Sequence, residues 1–193
     1  MRPAFVGHPI SYLLFVLALG VWTVIEIRQA LQRRADATSM DRGSLMILRV
    51  CAVAGVLLAA LALKVSATAF PYNAVVIAIS LALIWAGIGL RWWCFRALGR
   101  YFTFTVMTSP DQRVITTGPY RFLRHPSYAG ILLILAGIGL SYGNWLSLAA
   151  LILLPLAGFI NRIRVEEAAL AATLGDAYTT YAGGRRRLIP FVW

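Results

Sequence analysis

The stretch Ala74-Val75-Val76-Ile77-Ala78-Ile79-Ser80-Leu81-Ala82-Leu83-Ile84-Trp85-Ala86-Gly87-Ile88-Gly89-Leu90 carries no charge, and Arg91-Trp92-Trp93 follows it at once. At ~1.5 Å per residue in a helix it reaches ~25 Å, close to the ~30 Å hydrocarbon core of a bilayer. Four further apolar segments read the same way: Ile10–Ile27, Leu45–Leu63, Tyr128–Leu140 and Trp145–Ile160. The last two are shorter, and Ser141-Tyr142-Gly143-Asn144 between them is a turn signal, so they predict a tight helical hairpin. Composition agrees. Of 193 residues, 60% are hydrophobic and 13% charged, with mean hydropathy +0.76. A soluble domain carries about 25% charged residues. The composition therefore disfavours a soluble globular protein and excludes disordered and collagen-like classes. The expected fold is all-α: a polytopic membrane helical bundle of about five transmembrane helices.

Arginine placement orients the bundle. Arg28, Arg33, Arg34 and Arg42 follow segment one. Arg91, Arg96, Arg100, Arg113, Arg121 and Arg124 separate segments three and four, and Arg162, Arg164 and Arg185–Arg187 follow segment five. The opposite side holds Arg2 and Lys64, and Arg49 can snorkel to the basic side. The positive-inside rule predicts the N-terminus outside and the C-terminus in the cytosol. More positive charge follows segment one than precedes it, which favours a retained anchor over a cleaved signal peptide. The net charge of +11 is read as a membrane-surface property, with the lipid bilayer as partner and no nucleic acid. Trp92, Trp93, Phe95, Tyr101 and Phe102 read as an interfacial aromatic belt. Gly87-x-Gly89 and Gly137-x-Gly139 sit mid-span as close-packing positions. Cys51 and Cys94 lie in apolar stretches, so no disulfide is expected. With His8 and His125 far apart, no metal site is expected.

The informative polarity lies in two stretches on the basic side, 103–128 and 161–193. In the first, Gly118-Pro119 marks a turn, and Pro126 fits the first turn of segment four with His125 just before it. A helix N-terminus with Arg124 and His125 beside it suits a carboxylate or phosphate. The same residues serve equally as an interfacial anchor. In the second, Arg162 and Glu166 are four apart and Arg164 and Glu167 three apart, a spacing that also describes two solvated ion pairs. Carboxylates so near a span are expensive unless useful. Leu170, Leu174, Tyr178 and Tyr181 continue an apolar stripe, which predicts an amphipathic helix broken near Gly175-Asp176. Arg185-Arg186-Arg187 reads as an anionic-lipid contact.

Val114-Ile115, Gly118-Pro119-Tyr120, Arg124-His125-Pro126-Ser127-Tyr128, Glu166-Glu167 and the ending Gly175-Asp176-Ala177-Tyr178-x-x-Tyr181 with Pro190 together resemble the isoprenylcysteine carboxyl methyltransferase family of integral membrane enzymes. The resemblance covers roughly 95–193, and its motifs are shared with phospholipid N-methyltransferases. It implies S-adenosylmethionine bound at the cytosolic face without a Rossmann domain, giving S-adenosylhomocysteine as product. It implies cofactor binding by Gln112, Arg113, Val114, Ile115, Tyr120, His125, Pro126, Ser127, Tyr128 and Glu166. Arg162 would hold the substrate carboxylate, with Arg162 and Glu166 the catalytic pair and Glu167 beside the substrate. On this reading 1–193 is a single domain, with 1–95 supplying N-terminal membrane helices and 96–193 the cofactor-binding and catalytic core. The pocket would form from the loop before the fourth helix and the C-terminal helices.

The chemistry of the residues agrees with that expectation. Glu166 suits an ammonium or ribose hydroxyls, and tyrosine faces suit a sulfonium or adenine. A carboxylate acceptor is already ionised, so methyl transfer to it needs alignment and dehydration but no base. A phenolic lipid, phospholipid amine or thiol acceptor would need Glu167 or His125 as proton acceptor. The apolar span centres disfavour a carrier, and a non-enzymatic scaffold would not need the arginine–carboxylate pair. The low-lysine, Arg- and Ala-rich composition resembles that of GC-rich bacteria, which predicts an inner-membrane protein acting on a lipophilic small molecule or prenylated substrate.

Overall fold

The structure, a computed structural model, describes residues 8–31, 38–71, 73–102, 107–108, 113–188 and 193. Among the described residues there are six α-helices: α1 (Pro9–Ala30), α2 (Ser44–Ala62), α3 (Ala74–Leu98), α4 (Pro126–Ser141), α5 (Trp145–Leu174) and α6 (Asp176–Gly183). The β-structure among the described residues is slight, an antiparallel ladder of Thr38–Ser39 with Met107–Thr108 and two isolated bridges. Helices α1, α2, α3 and α5 are long and apolar enough to cross a membrane, and α4 is a shorter apolar helix. The chain is a multi-pass helical membrane protein.

Segment boundaries follow local chemistry. Asn73 caps α3, its side chain accepting from the Val76 amide at 3.0 Å, a favoured use of asparagine. Asn144 does the same for α5 through the Ser147 amide at 3.0 Å. Its amide nitrogen also donates to the Ala62 and Val65 carbonyls and the Thr68 hydroxyl. The expected turn at 141–144 thus staples the α4–α5 hairpin to the end of α2. At the other end α5 departs from expectation. It does not stop at Ile160 but runs on as one helix to Leu174, where Gly175, at φ 53°, introduces α6.

Small residues let the helices approach, because bundles in lipid cohere by packing rather than by hydrophobic exclusion. A Cβ at Gly87 would lie 2.5 Å from the Gly130 carbonyl oxygen, and one at Gly137 2.5 Å from that of Ser80. These contacts zip α3 to α4. Gly139 meets Leu148 of α5 instead, and Gly89 meets nothing within 4 Å, so Gly89 is not the close-packing position its pairing with Gly87 suggests. Gly55 and Gly158 play the corresponding part between α2 and α5. Helix α1 is peripheral, with Ala18 and Gln29 its buried residues. It leans on Ile84, Ile88 and Ile134. The aromatic belt divides: Trp92 and Trp93 are exposed while Phe95 is buried, packed edge-on against Phe102. Both cysteines are free.

Candidate active site

Pro126 opens α4 and His125 is its N-cap residue. The loop before it is pinned from the far end of the chain: the Arg124 and His125 amides donate to the Arg186 and Arg187 carbonyls, each at 2.9 Å. The Tyr181 hydroxyl of α6 donates to the Tyr120 carbonyl at 2.8 Å. Arg124 donates to the Arg185 carbonyl at 2.9 Å and also to that of Ala182. So α6 and the chain after it clamp residues 120–125 at the basic end of the bundle.

This clamp sets His125 over the last turns of α5. His125 Nδ1 lies 3.8 Å from Glu166 Oε2, and Nε2 lies 3.2 Å from Glu167 Oε1. The two stretches singled out in the sequence therefore meet. The neighbouring carboxylates differ in environment. Glu167 receives Arg124 at 3.1 Å and Arg187 at 2.9 Å as well as His125. Glu166 takes its hydrogen bond from a neutral group, the Tyr128 hydroxyl, at 2.7 Å. That hydroxyl in turn accepts from Arg162 Nε at 2.9 Å. Arg162 is 3% exposed, and its Nη1 donates to Asp41 at 2.8 Å and to Ser44 at 3.0 Å. The solvated i to i+4 ion pair read from the spacing is replaced by a buried relay, Asp41–Arg162–Tyr128–Glu166. Burial pushes the Asp41 carboxyl up, but the Leu45 amide, the Ser44 hydroxyl and Arg162 outweigh it and hold it below the ordinary carboxylate value.

These groups face a cavity of about 280 Å³, at the lower edge of the ~300–1,000 Å³ of small-molecule sites. Arg113, Val114, Ile115, Tyr120, His125, Ser127, Tyr128, Arg162 and Glu166 all line it. Pro126 is buried at the helix start behind this wall, and Glu167 sits in its arginine cluster outside the lining. Gln112 lies outside the described residues. Burial, with Cys94 and Glu166 adding to it, pushes the Tyr120 hydroxyl well above the ordinary phenol value, so it presents a neutral aromatic.

The N-terminal half also contributes, which the sequence reading missed. Arg91 of α3 lines the cavity, pairs with Glu26 of α1, and donates to Ser127 Oγ. Its guanidinium lies 4.7 Å from the Phe95 ring centroid. Glu26 lines the cavity too. The available signal was an acid inside apolar segment one, since a carboxylate there is costly without a partner. The run Arg185-Arg186-Arg187 also departs from a simple lipid contact: Arg185 donates to the Arg121 and Tyr181 carbonyls and Arg187 pairs with Glu167.

Fold and site together define a multi-pass helical membrane protein with one polar, aromatic-walled pocket at the basic end of its bundle. The sequence profile of the isoprenylcysteine carboxyl methyltransferase (ICMT) family matches residues 76–172, half of the chain, and the chain belongs to that family. It is similar to the protein-S-isoprenylcysteine O-methyltransferase of Schizosaccharomyces pombe, 34% identical over 85 residues, 43% of this chain and 36% of that protein. A probable protein-S-isoprenylcysteine O-methyltransferase of Oryza sativa subsp. indica is 31% identical over 116 residues, 59% of this chain and 61% of that one. The uncharacterized protein YpbQ of Bacillus subtilis is 28% identical over 81 residues, 42% of this chain and 48% of that protein. The chain thus spans between about a third and three-fifths of the length of these relatives.

Proposed function

We propose that this chain transfers the methyl group of S-adenosylmethionine to the carboxylate of an isoprenylcysteine-like or other lipophilic acceptor, releasing S-adenosylhomocysteine. The observation that carries the reading is the meeting of His125 and Glu166 at 3.8 Å on one cavity wall. The donor set fits such a ligand. A free amino acid joined to a nucleoside needs an acceptor for its ammonium, cations for its carboxylate and flat apolar walls for its base. Glu166, Arg124, and Tyr120 with Tyr128 supply these in turn, and the His125 ring adds a hydrogen-bonding group beside Arg124. When bound, the donor supplies an electrophilic methyl group on a sulfonium.

The chain's own contribution is alignment and exclusion of water. Arg162, buried and braced by Asp41 and Ser44, offers a fixed guanidinium to an acceptor carboxylate. Leu45, Leu48 and Ile131 line the cavity and dehydrate the nucleophile, which strengthens the electrostatics around it. Glu167 bears on the acceptor class. Its carboxylate already accepts from Arg124, Arg187 and His125 and lies outside the cavity lining, which makes it a poor proton acceptor for a phenol, amine or thiol. That favours an acceptor ionised before it binds. The arginine-rich end carrying the site faces the cytosol on this reading. The test is transfer of labelled methyl from S-adenosylmethionine by protein in lipid nanodiscs to S-prenylated N-acylcysteine, long-chain fatty acid, phenolic lipid and aminophospholipid. Label in an alkali-labile ester of a lipophilic acid is the expected result. Label confined to the phenol or amine would overturn the acceptor assignment, and failure to bind S-adenosylhomocysteine would overturn the whole reading.

A further inference from the structure

One buried side-chain polar atom of the pocket region has no hydrogen-bond partner among the described residues. The Tyr178 hydroxyl is buried without a hydrogen bond, the residue is 6% exposed, and Tyr178 lines the cavity. Burying an unmatched hydroxyl is costly, and a phenylalanine would fill the same volume without that cost. The ring is held in place. Tyr178 belongs to a buried cluster with Tyr181 and Ala182 against which Val114, Leu170 and Leu174 pack; the two tyrosine ring centroids are 6.1 Å apart, and Tyr181 is tied to the Tyr120 carbonyl. The hydroxyl therefore has little freedom to find another partner.

We infer that Tyr178 is a specificity-determining residue whose hydroxyl hydrogen-bonds the nucleoside half of the methyl donor; this rests on the donor proposed above. The lining is chemically mixed. Arg124 and Glu166 bring formal charge that suits an amino-acid end. Val114, Leu170 and Leu174 add an apolar surface packed against the Tyr178–Tyr181 cluster, where the Tyr181 hydroxyl is already engaged and that of Tyr178 is not. A flat heterocycle with its sugar matches that surface, and a phenol can give or accept one hydrogen bond to either.

The experiment compares wild type and Tyr178→Phe, purified in detergent, by calorimetry with S-adenosylhomocysteine and by its displacement with 5′-methylthioadenosine, which lacks the amino-acid half. Tyr178→Phe weakens both ligands by about tenfold, the worth of one hydrogen bond. The unfolding temperature of the ligand-free variant stays level or rises, because the hydroxyl removed has no protein partner. Equal affinity of variant and wild type for S-adenosylhomocysteine overturns the inference. So does a loss confined to S-adenosylhomocysteine, which would place the contact at the amino-acid end, or a marked fall in unfolding temperature. Wild type that binds neither ligand removes the proposed donor and this inference with it; wild type that binds while the variant is unaffected removes this inference alone.

Discussion

Replacing Glu166 with glutamine isolates charge from shape. The carboxylate is 31% exposed and accepts a 2.7 Å hydrogen bond from the Tyr128 hydroxyl. Glutamine can accept the same bond through its carbonyl, so the relay from Arg162 through Tyr128 survives. What disappears is the negative charge facing the cavity. A charge-assisted hydrogen bond is worth about 1.5–3 kcal/mol in a partly dehydrated site. If Glu166 meets the ammonium of the donor, S-adenosylhomocysteine affinity should fall about 10- to 150-fold. Stability should change by less than about 1 kcal/mol, as befits a part-exposed carboxylate bonded to a neutral phenol. Calorimetry in detergent with a parallel thermal melt measures both. A dissociation constant within about twofold of wild type, below the loss of one hydrogen bond, would refute the role given to Glu166. Unchanged binding with a large drop in melting temperature would recast it as a structural brace.

Arg162→Lys keeps the cation but loses the fork that reaches Tyr128, Asp41 and Ser44 together. Turnover should fall about 100-fold while S-adenosylhomocysteine affinity stays within a few-fold, and single-turnover kinetics with binding calorimetry separate the two. Asp41→Asn should destabilise the protein by about 1–3 kcal/mol at neutral pH, because buried Arg162 loses its counter-charge. The Asp41 carboxyl titrates below its usual value when folded, so its contribution is present above that value and lost as pH falls through the depressed one. The gap between variant and wild type should therefore narrow as pH falls below the ordinary carboxylate range in thermal melts, and a gap as wide in strong acid as at neutral pH would contradict the assignment. Gly87→Ala drives a Cβ to 2.5 Å from the Gly130 carbonyl and should cost about 3 kcal/mol. Gly89→Ala, with open space around it, should be neutral or gain up to about 1 kcal/mol. Equal melting temperatures for the two would deny the α3–α4 contact.

Local signals made the helix starts legible in the sequence. Pro126 reads as the first turn of α4 and 141–144 as the α4–α5 turn, signals that act within three or four residues of themselves; the Asn73 and Asn144 caps act over the same range, but the sequence reading missed them as caps. The pairing of His125 with Glu166 was legible from motif chemistry, though not from any physical rule that brings positions so far apart into contact. The end of α5 was hidden because Asn161-Arg162-Ile163-Arg164 has the polarity of a solvent-facing segment. Arg162 is instead buried, and the group that neutralises it, Asp41, precedes α2, 121 residues away. Polarity satisfied inside the protein looks the same in a sequence as polarity satisfied by water. Glu26 was hidden for the same reason, its partner Arg91 standing on another helix, and Arg91 counted only as one more positive charge at a helix end. The unpartnered hydroxyl of Tyr178 left no trace, since the spacing of Leu170, Leu174, Tyr178 and Tyr181 reads as an apolar stripe whether or not its oxygens are satisfied.

Four of the chain's seven acidic residues, Glu26, Asp41, Glu166 and Glu167, gather at the basic end of the bundle. Three of them neutralise arginines: Glu26 takes Arg91, Asp41 takes Arg162, and Glu167 takes Arg124 and Arg187. Those pairs hold α1, α2 and the C-terminal segment against the α3–α4–α5 core, and removing one member would strand a buried charge. Glu166 is different. Its hydrogen bond comes from a phenol, and beyond the His125 ring at 3.8 Å its charge faces the cavity. A site meant only to hold helices together gains nothing from a carboxylate balanced by a neutral donor. A site that receives the ammonium of a sulfonium amino acid, as proposed above, needs one, and needs its neighbouring carboxylates already committed elsewhere. The distribution of partners among the four carboxylates, more than the presence of any one motif, is what supports the proposal that this bundle binds a positively charged ligand at its basic end.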